Sequence, residues 1–443
     1  MRVLGIELRR TSALVVGVLV ALVMLGLLWW LPPANKNSTG WTRQFSTMAE
    51  WTRYLLIFTW PLTFGAGAVL GLRDRRSGVL ELFSSTPLPR GRRVARTLLA
   101  LGAPLVLAYA AVVAVGVVGV SSRTDYLSWG WVPVVLVGAL SLVAAAWLGM
   151  GIGRLLPSPL TPPLVAVGAM ALMVFAELAG TGGHPFALLR PVTAAPESVF
   201  TRVSDSVTAG QAAWFVGLAA TGVLLVAARR WWLAGLPLVL GAAVALSLLP
   251  ATAAGARAPD PAAAEVVCVD ALCLTRAHEH ERAALSAPAR QALRLLSALP
   301  SPPTAVREIP NPSRSEPRGP EPVHTVWLDL DDIIYFRSEP LPPERLTALM
   351  VDGAGTRDCD LVAGPSGEES AARAVVSAWL TGTLEPSRYH GDFGAEVNTL
   401  AASAWDALRA LPPADQTARV NATREALAGC TGSSWQALTG GSL

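Results

Sequence analysis

The sequence predicts an α-helical polytopic membrane protein, with about seven transmembrane helices followed by a mainly helical α+β extracytoplasmic domain. Three observations carry this expectation. Of 443 residues, 52% are hydrophobic and 15% charged, against roughly 25% charged residues in a soluble domain. Seven stretches are apolar over the roughly 20 residues a helix needs to cross a hydrocarbon core. Beyond residue 250 the apolar runs stop, and all 4 cysteines lie in that last part.

The first stretch, 12–31, follows Arg2, Arg9 and Arg10. It exceeds the roughly 7–15 apolar residues of a signal peptide and no small-x-small cleavage site follows, so it reads as a retained span. The others are 54–72, 98–120, 131–152, 160–180, 211–228 and 231–250. Between the second and third lie Arg73, Arg75, Arg76, Arg90, Arg92, Arg93 and Arg96. With the N-terminal arginines, Arg154, Arg229 and Arg230, they form one set of loop charges. Lys36, Arg43, Arg53, Arg123, Arg190 and Arg202, spread over longer loops, form the other. Basic residues gather on the cytoplasmic side. That rule puts the N-terminus inside and the part after residue 250 outside. Only Arg229 and Arg230 separate the last two spans; were these one bent element, the C-terminal part would be cytoplasmic.

Cysteine usage arbitrates. An even number confined to the expected exterior fits disulfides formed in an oxidising compartment. Of three pairings, Cys268–Cys273 with Cys359–Cys430 is favoured, a local clip and a longer staple. A metal site with His278 and His280 is the alternative, but Cys-x4-Cys beside His-x-His matches neither usual zinc spacing. No metal ligand set is assigned.

Within the spans Glu177 is the exceptional charge, and an intramembrane carboxylate is a functional candidate by default. Its position near the outer end of the fifth span also fits a solvated helix terminus. Trp29, Trp30, Trp51, Trp60, Trp129, Trp131, Trp231 and Trp232 stand at or near span ends, as an aromatic belt would. Gly65, Gly67 and Gly71 in the second span, with Gly149, Gly151 and Gly153 in the fourth, allow close helix approach. The loop 181–210 is long enough for short interfacial helices.

Catalytic motifs are lacking. Lys36, in NKNST, is the only lysine, whereas a P-loop needs one within GxxxxGK[ST]. HEHE at 278–281 lacks the spacing of a zincin helix, and no GxSxG occurs. No catalytic residue and no cofactor is assigned to this chain. The arginines sit at membrane edges rather than in a basic tail, so nucleic acid is not an expected partner. Arginine in place of lysine suits a GC-rich bacterial genome of the actinobacterial kind.

Past residue 250, 251–260 reads as an Ala/Gly/Pro linker, and 300–322 as too proline-rich for regular structure. Helices are expected at 281–299, 342–351, 367–381 (with Ser366 and Glu369 as a capping box), 392–411 and 413–428. HTVWLDLDDIIYF, 324–336, is the one strand candidate.

The segment RDRRSGVLELFSSTPLPRGRRVARTLLAL resembles the first cytoplasmic loop of permease subunits of ABC-2 type exporters. ELRR before the first span and the long outer segment between spans five and six fit the same family, and the likeness covers about residues 1–230. It implies a six-span permease domain at 1–230 with a coupling loop at 73–97. That loop would dock on a separate ABC ATP-binding subunit, which would hold the ATP and magnesium. Arg75, Arg76, Gly78, Leu80, Glu81, Leu82, Arg92 and Arg93 would lie at or near the contact. Topology alone is the plainer account of the arginines, and Val79, Leu80, Leu82 and Phe83 could rest on lipid headgroups. The resemblance further implies a dimer of membrane domains in a bacterial plasma membrane. The chain departs from the pattern in a seventh span at 231–250 and the extracytoplasmic domain at 251–443. The competing function is a membrane-anchored extracytoplasmic binding or sensory module without transport.

Overall fold

A computed structural model describes residues 13–31, 40–76, 90–181, 185–227, 231–310, 324–330, 341–358, 364–387, 389 and 391–441. They form two compact units, 1–260 and 261–443.

The first unit holds α1 (Ala13–Trp30), α2 (Phe45–Tyr54), α3 (Leu56–Arg76), α4 (Arg90–Ser121), α5 (Trp131–Leu155), α6 (Thr161–Thr181), α7 (Asp205–Ala227) and α8 (Gly235–Leu248). Six of these, α1 and α3 to α7, are long and apolar enough to cross a membrane. Their exposed leucines and valines are what lipid would cover, and this is the architecture of a polytopic membrane protein. The expected seventh span is a 3-10 turn, Trp231–Ala234, followed by the 14 residues of α8, short of the roughly 20 that cross alone as an α-helix.

Glycine explains how α3 and α5 meet. A Cβ on Gly67 would lie 2.2 Å from the Ala146 carbonyl oxygen, and one on Gly71 2.2 Å from that of Met150. Reciprocally, Gly149 and Gly153 face the carbonyl oxygens of Phe64 and Ala68, also at 2.2 Å. Numbers rise together along both helices, so α3 and α5 run parallel, backbone on backbone. Gly222 of α7 packs on the Trp147 backbone and Gly151 on Leu225, which aligns α7 with the same pair. In α8, Pro237 lies beside Gly217, and Leu249, just past its end, beside Gly210, so α8 returns antiparallel along α7.

Tryptophans divide by role. Trp29, Trp30, Trp129 and Trp232 are exposed, as a belt requires. Trp51 and Trp60 are buried instead, and Trp60 donates its Nε1–H to the Ser141 carbonyl at 3.0 Å. The segment 185–204 gives a short 3-10 helix at Pro185–Leu189, in one of the two stretches where short helices were expected, and a strand, β1 (Thr201–Val203), at the other. β1 pairs antiparallel with β2 (Arg257–Pro259). Residues 251–260 are therefore no free linker: their second half is a strand of the membrane unit.

In the second unit, β3 (Val266–Val269), β4 (Leu272–Thr275), β5 (Ala305–Glu308) and β6 (Thr325–Leu328) make a sheet in that order. β3 and β4 are antiparallel; β4–β5 and β5–β6 are parallel, and α9 (Arg282–Leu296) makes the β4–β5 crossover. Two expectations are corrected here. More than one strand forms, and Ala305–Glu308 is regular although prolines crowd around it. Each strand is four residues long, too short to display a period-2 pattern. Of 324–336, Thr325–Leu328 is strand and 331–336 lies outside the described residues.

Helices α9 and α10 (Pro343–Val351) pack on the sheet, and α11 (Gly367–Thr381), α12 (Gly391–Arg409), α13 (Pro413–Gly429) and α14 (Ser434–Thr439) complete the same core. Ser366 caps α11, its hydroxyl accepting from the Glu369 N–H at 3.1 Å. Buried Arg424 of α13 donates to the carbonyls of Ser301 and Ala354, tying α13 to two loops of the unit.

Candidate functional site

Gly71 of α3 sits against the backbone of Met150 and Arg154 at the end of α5. The Trp147 indole of α5 donates to the Leu98 carbonyl at the start of α4 at 2.9 Å. The C-terminal ends of α3 and α5 and the N-terminal end of α4 therefore lie together. Helix α3 continues to Arg76 past an apolar span that closes at Arg73, and α4 begins at Arg90 before a span that opens at Val94. The result is two basic helix ends on one side of the bundle, with Arg73 and Arg92 exposed.

Arg75 and Arg76 lie in the last turn of α3 and Arg93 in the first turn of α4; their side chains are outside the described residues. Gly78, Leu80, Glu81 and Leu82 fall in 77–89, wholly outside the described residues. Glu177, near the C-terminus of α6, is half exposed and forms an ion pair with Arg190. Burial pulls the Arg190 guanidinium below its ordinary value. Cys268 and Cys273 are disulfide-bonded across the two-residue turn of the β3–β4 hairpin, where Asp270 takes a φ of 52°. Cys430 is also disulfide-bonded, and Cys359, its expected partner, is outside the described residues.

A cluster of buried charge lies elsewhere, on α2. Helix α2 is buried on all sides, including Glu50 and Arg53. Glu50 Oε2 accepts from Arg257 Nη2 of β2 at 2.6 Å, with the carboxylate side chain 2% exposed. Arg257 also donates to Thr201 Oγ1 of β1 at 3.0 Å and to the Ala195 carbonyl at 3.0 Å. Arg53 donates through Nε and Nη2 to the Pro191 carbonyl at 3.0 and 2.6 Å. Thr193 Oγ1 donates to the Glu50 carbonyl at 3.2 Å. Three segments far apart in sequence are thus clamped together: α2, the stretch 190–203, and β2.

Burial raises the Glu50 carboxyl above its ordinary 4.5, opposed chiefly by Arg257 and less by Arg53. Burial likewise pulls Arg53 down to about 10. Nearby, the Tyr126 hydroxyl donates to the Asp260 carboxylate at 3.2 Å, fastening the loop after α4 to the end of the same unit. The cluster holds no nucleophile beside a base, so its chemistry is that of a clamp. No family model matches the chain, and no curated protein or solved structure was found similar to it.

Among the described residues no group of three His, Cys, Asp or Glu side chains gathers as metal ligands. In the sequence Arg53 counts only as an outer-loop charge, and Arg257 sits in the apparent linker. The available sign was local. AEWTR places an acid and a base three residues apart among apolar and aromatic neighbours, one helix face that cannot be left in lipid unpaired.

Proposed function

We propose that residues 1–230 act as the permease subunit of an ABC-2 type exporter, coupled through the loop between α3 and α4 to a separate ATP-binding subunit. The supporting observation is the pair of arginine-bearing helix ends at Arg73–Arg76 and Arg90–Arg93, which frame that loop one turn beyond their apolar spans. A partner pressing on the loop would move the ends of α3 and α4 that frame it. The close-packed α3–α5 contact would pass that movement into the bundle. A chain whose only lysine is Lys36 draws the energy for transport from another subunit.

The test is association. Purified with a candidate ATP-binding subunit encoded beside it, the chain is expected to form a complex whose ATPase is stimulated. Glu81→Ala with Leu82→Asp is expected to weaken that association at least tenfold. Failure to associate, or association and stimulation untouched by the double substitution, overturns the reading.

The orientation belongs to the same reading: arginine ends in the cytoplasm, six long spans with a seventh crossing made by the 3-10 turn and α8 together, and residues 261–443 outside the plasma membrane. Its support is the course of α8, which returns along α7 and delivers β2 to the end opposite the arginines. In intact cells, an impermeant maleimide is expected to label Cys268, Cys273 or Cys430 only after a reductant opens the disulfides. Labelling that also requires permeabilised cells would place this unit in the cytoplasm.

A further inference from the structure

Helices α10 and α11 line a cleft of about 220 Å³ in the second unit, together with Thr383, Glu385, Pro386, Ser387 and Tyr389. Small residues on one face of α11 make the room: Ser370, Ala374, Ser377, Ala378 and Thr381 recur at i, i+4, i+7, i+8 and i+11 and all line it. We infer that this cleft binds a neutral, hydroxyl-rich small molecule the size of a monosaccharide.

Charge excludes an anion. Both arginines in the lining are already engaged, Arg345 with Glu385 at 2.8 Å and Arg373 with Asp352 at 3.1 Å. With Glu344 also in the lining, three carboxylates face two guanidiniums, and a phosphate or carboxylate ligand would meet no unspent cation.

Hydrogen bonding specifies the ligand further. Thr347, Ser377 and Thr381 donate their hydroxyl protons to carbonyls of their own helices, at 3.0, 2.8 and 2.9 Å. Thr347 and Thr381 retain acceptor lone pairs, and Ser377 keeps one beyond the bond it accepts from the Gly353 N–H at 3.2 Å, so the ligand must bring donors. Ser387 Oγ accepts the Tyr389 N–H at 3.1 Å and keeps its own proton to give. Ser370 is the decisive residue. It is 7% exposed, lines the cleft, and its Oγ has no hydrogen-bond partner among the described residues. A buried orphan hydroxyl costs stability unless something enters to pair with it. Ala348, Ala374, Ala378 and Val397 also line the cleft and offer apolar surface to the C–H face of a pyranose ring. The volume falls below the roughly 300–1,000 Å³ of drug-sized sites, which favours a single ring.

The test uses the full chain in lipid nanodiscs, free of glycoside detergent, and ligand-observed saturation-transfer NMR with glucose, galactose, mannose and N-acetylglucosamine. At least one sugar is expected to show saturation, and glucose 6-phosphate is expected to bind no better than glucose. Ala374→Phe, which fills the cleft, is expected to abolish the signal. Ser370→Ala is expected to weaken binding about tenfold without lowering the melting temperature, since it removes an unpaired group from the free protein. No saturation from any of the four sugars overturns the proposal. So does tighter binding of the phosphate, or an undiminished signal in either variant.

Discussion

Alanine at Gly67 or Gly149 is expected to unseat α3 from α5 and to lower the melting temperature of the detergent-solubilised protein more than almost any other single added methyl. The added Cβ would stand 2.2 Å from a backbone carbonyl oxygen, that of Ala146 or Phe64. Backbone has no rotamer to yield, so the helices must separate by about 1 Å along the contact. Overpacking ordinarily costs about 1–3 kcal/mol, and these sites belong at the top of that range because α3 is the most buried of the six long apolar helices. Separation also loosens Gly71 and Gly153 at the same contact, so the double variant is expected to lose less than the sum of the singles. Gly26 and Gly168 supply the control, since a Cβ there meets nothing within 4 Å. Alanine at those positions is expected to be neutral or slightly stabilising, because glycine is the poorer helix former by about 1 kcal/mol. Equal losses at all four positions would mean that glycine flexibility, and not close approach, is what the bundle uses.

Those glycines were legible in the sequence because their spacing lies within single helices, as was α11 with its Ser366 cap. A local signal survives being read one segment at a time. The sheet of the second unit was largely illegible for the opposite reason: strands of four residues, such as Ala305–Glu308, gain stability from neighbours that the sequence does not name. The clamp was illegible for a related reason. Glu50 and Arg257 are 207 residues apart, and each, taken alone, passes for a charge at a loop edge. Only β1–β2 pairing brings Arg257 to α2, and that pairing rests on three residues in each strand. The basic helix ends had announced themselves through composition, yet composition reports orientation and leaves the docking chemistry to the loop between them.

Removing Arg257 is expected to destabilise the membrane unit severely and in a pH-dependent way. Arg257→Met strands a carboxylate that is 2% exposed and whose main counter-charge is gone. Breaking a buried pair from one side typically costs about 3–5 kcal/mol, whereas replacing both partners by uncharged groups is far milder. Glu50→Gln with Arg257→Met is therefore expected to recover much of the loss. The direction with pH follows from Glu50. Its folded-state pKa is raised above the unfolded 4.5 by burial, so the folded state holds the proton more tightly than the unfolded chain. The stability this contributes is complete below about 4.5 and is lost as pH rises through the raised folded value. Arg257 is the leading group opposing that rise, and its removal pushes the folded value higher. Arg257→Met should thus sit nearer the wild type at pH 5 than at pH 8 when apparent melting temperatures are compared in one detergent. Adding Glu50→Gln should remove the difference between the two pH values. A loss equal at both would show that Arg257 acts through its bonds to Thr201 and Ala195, as a strut for β1, and not as the counter-ion of Glu50.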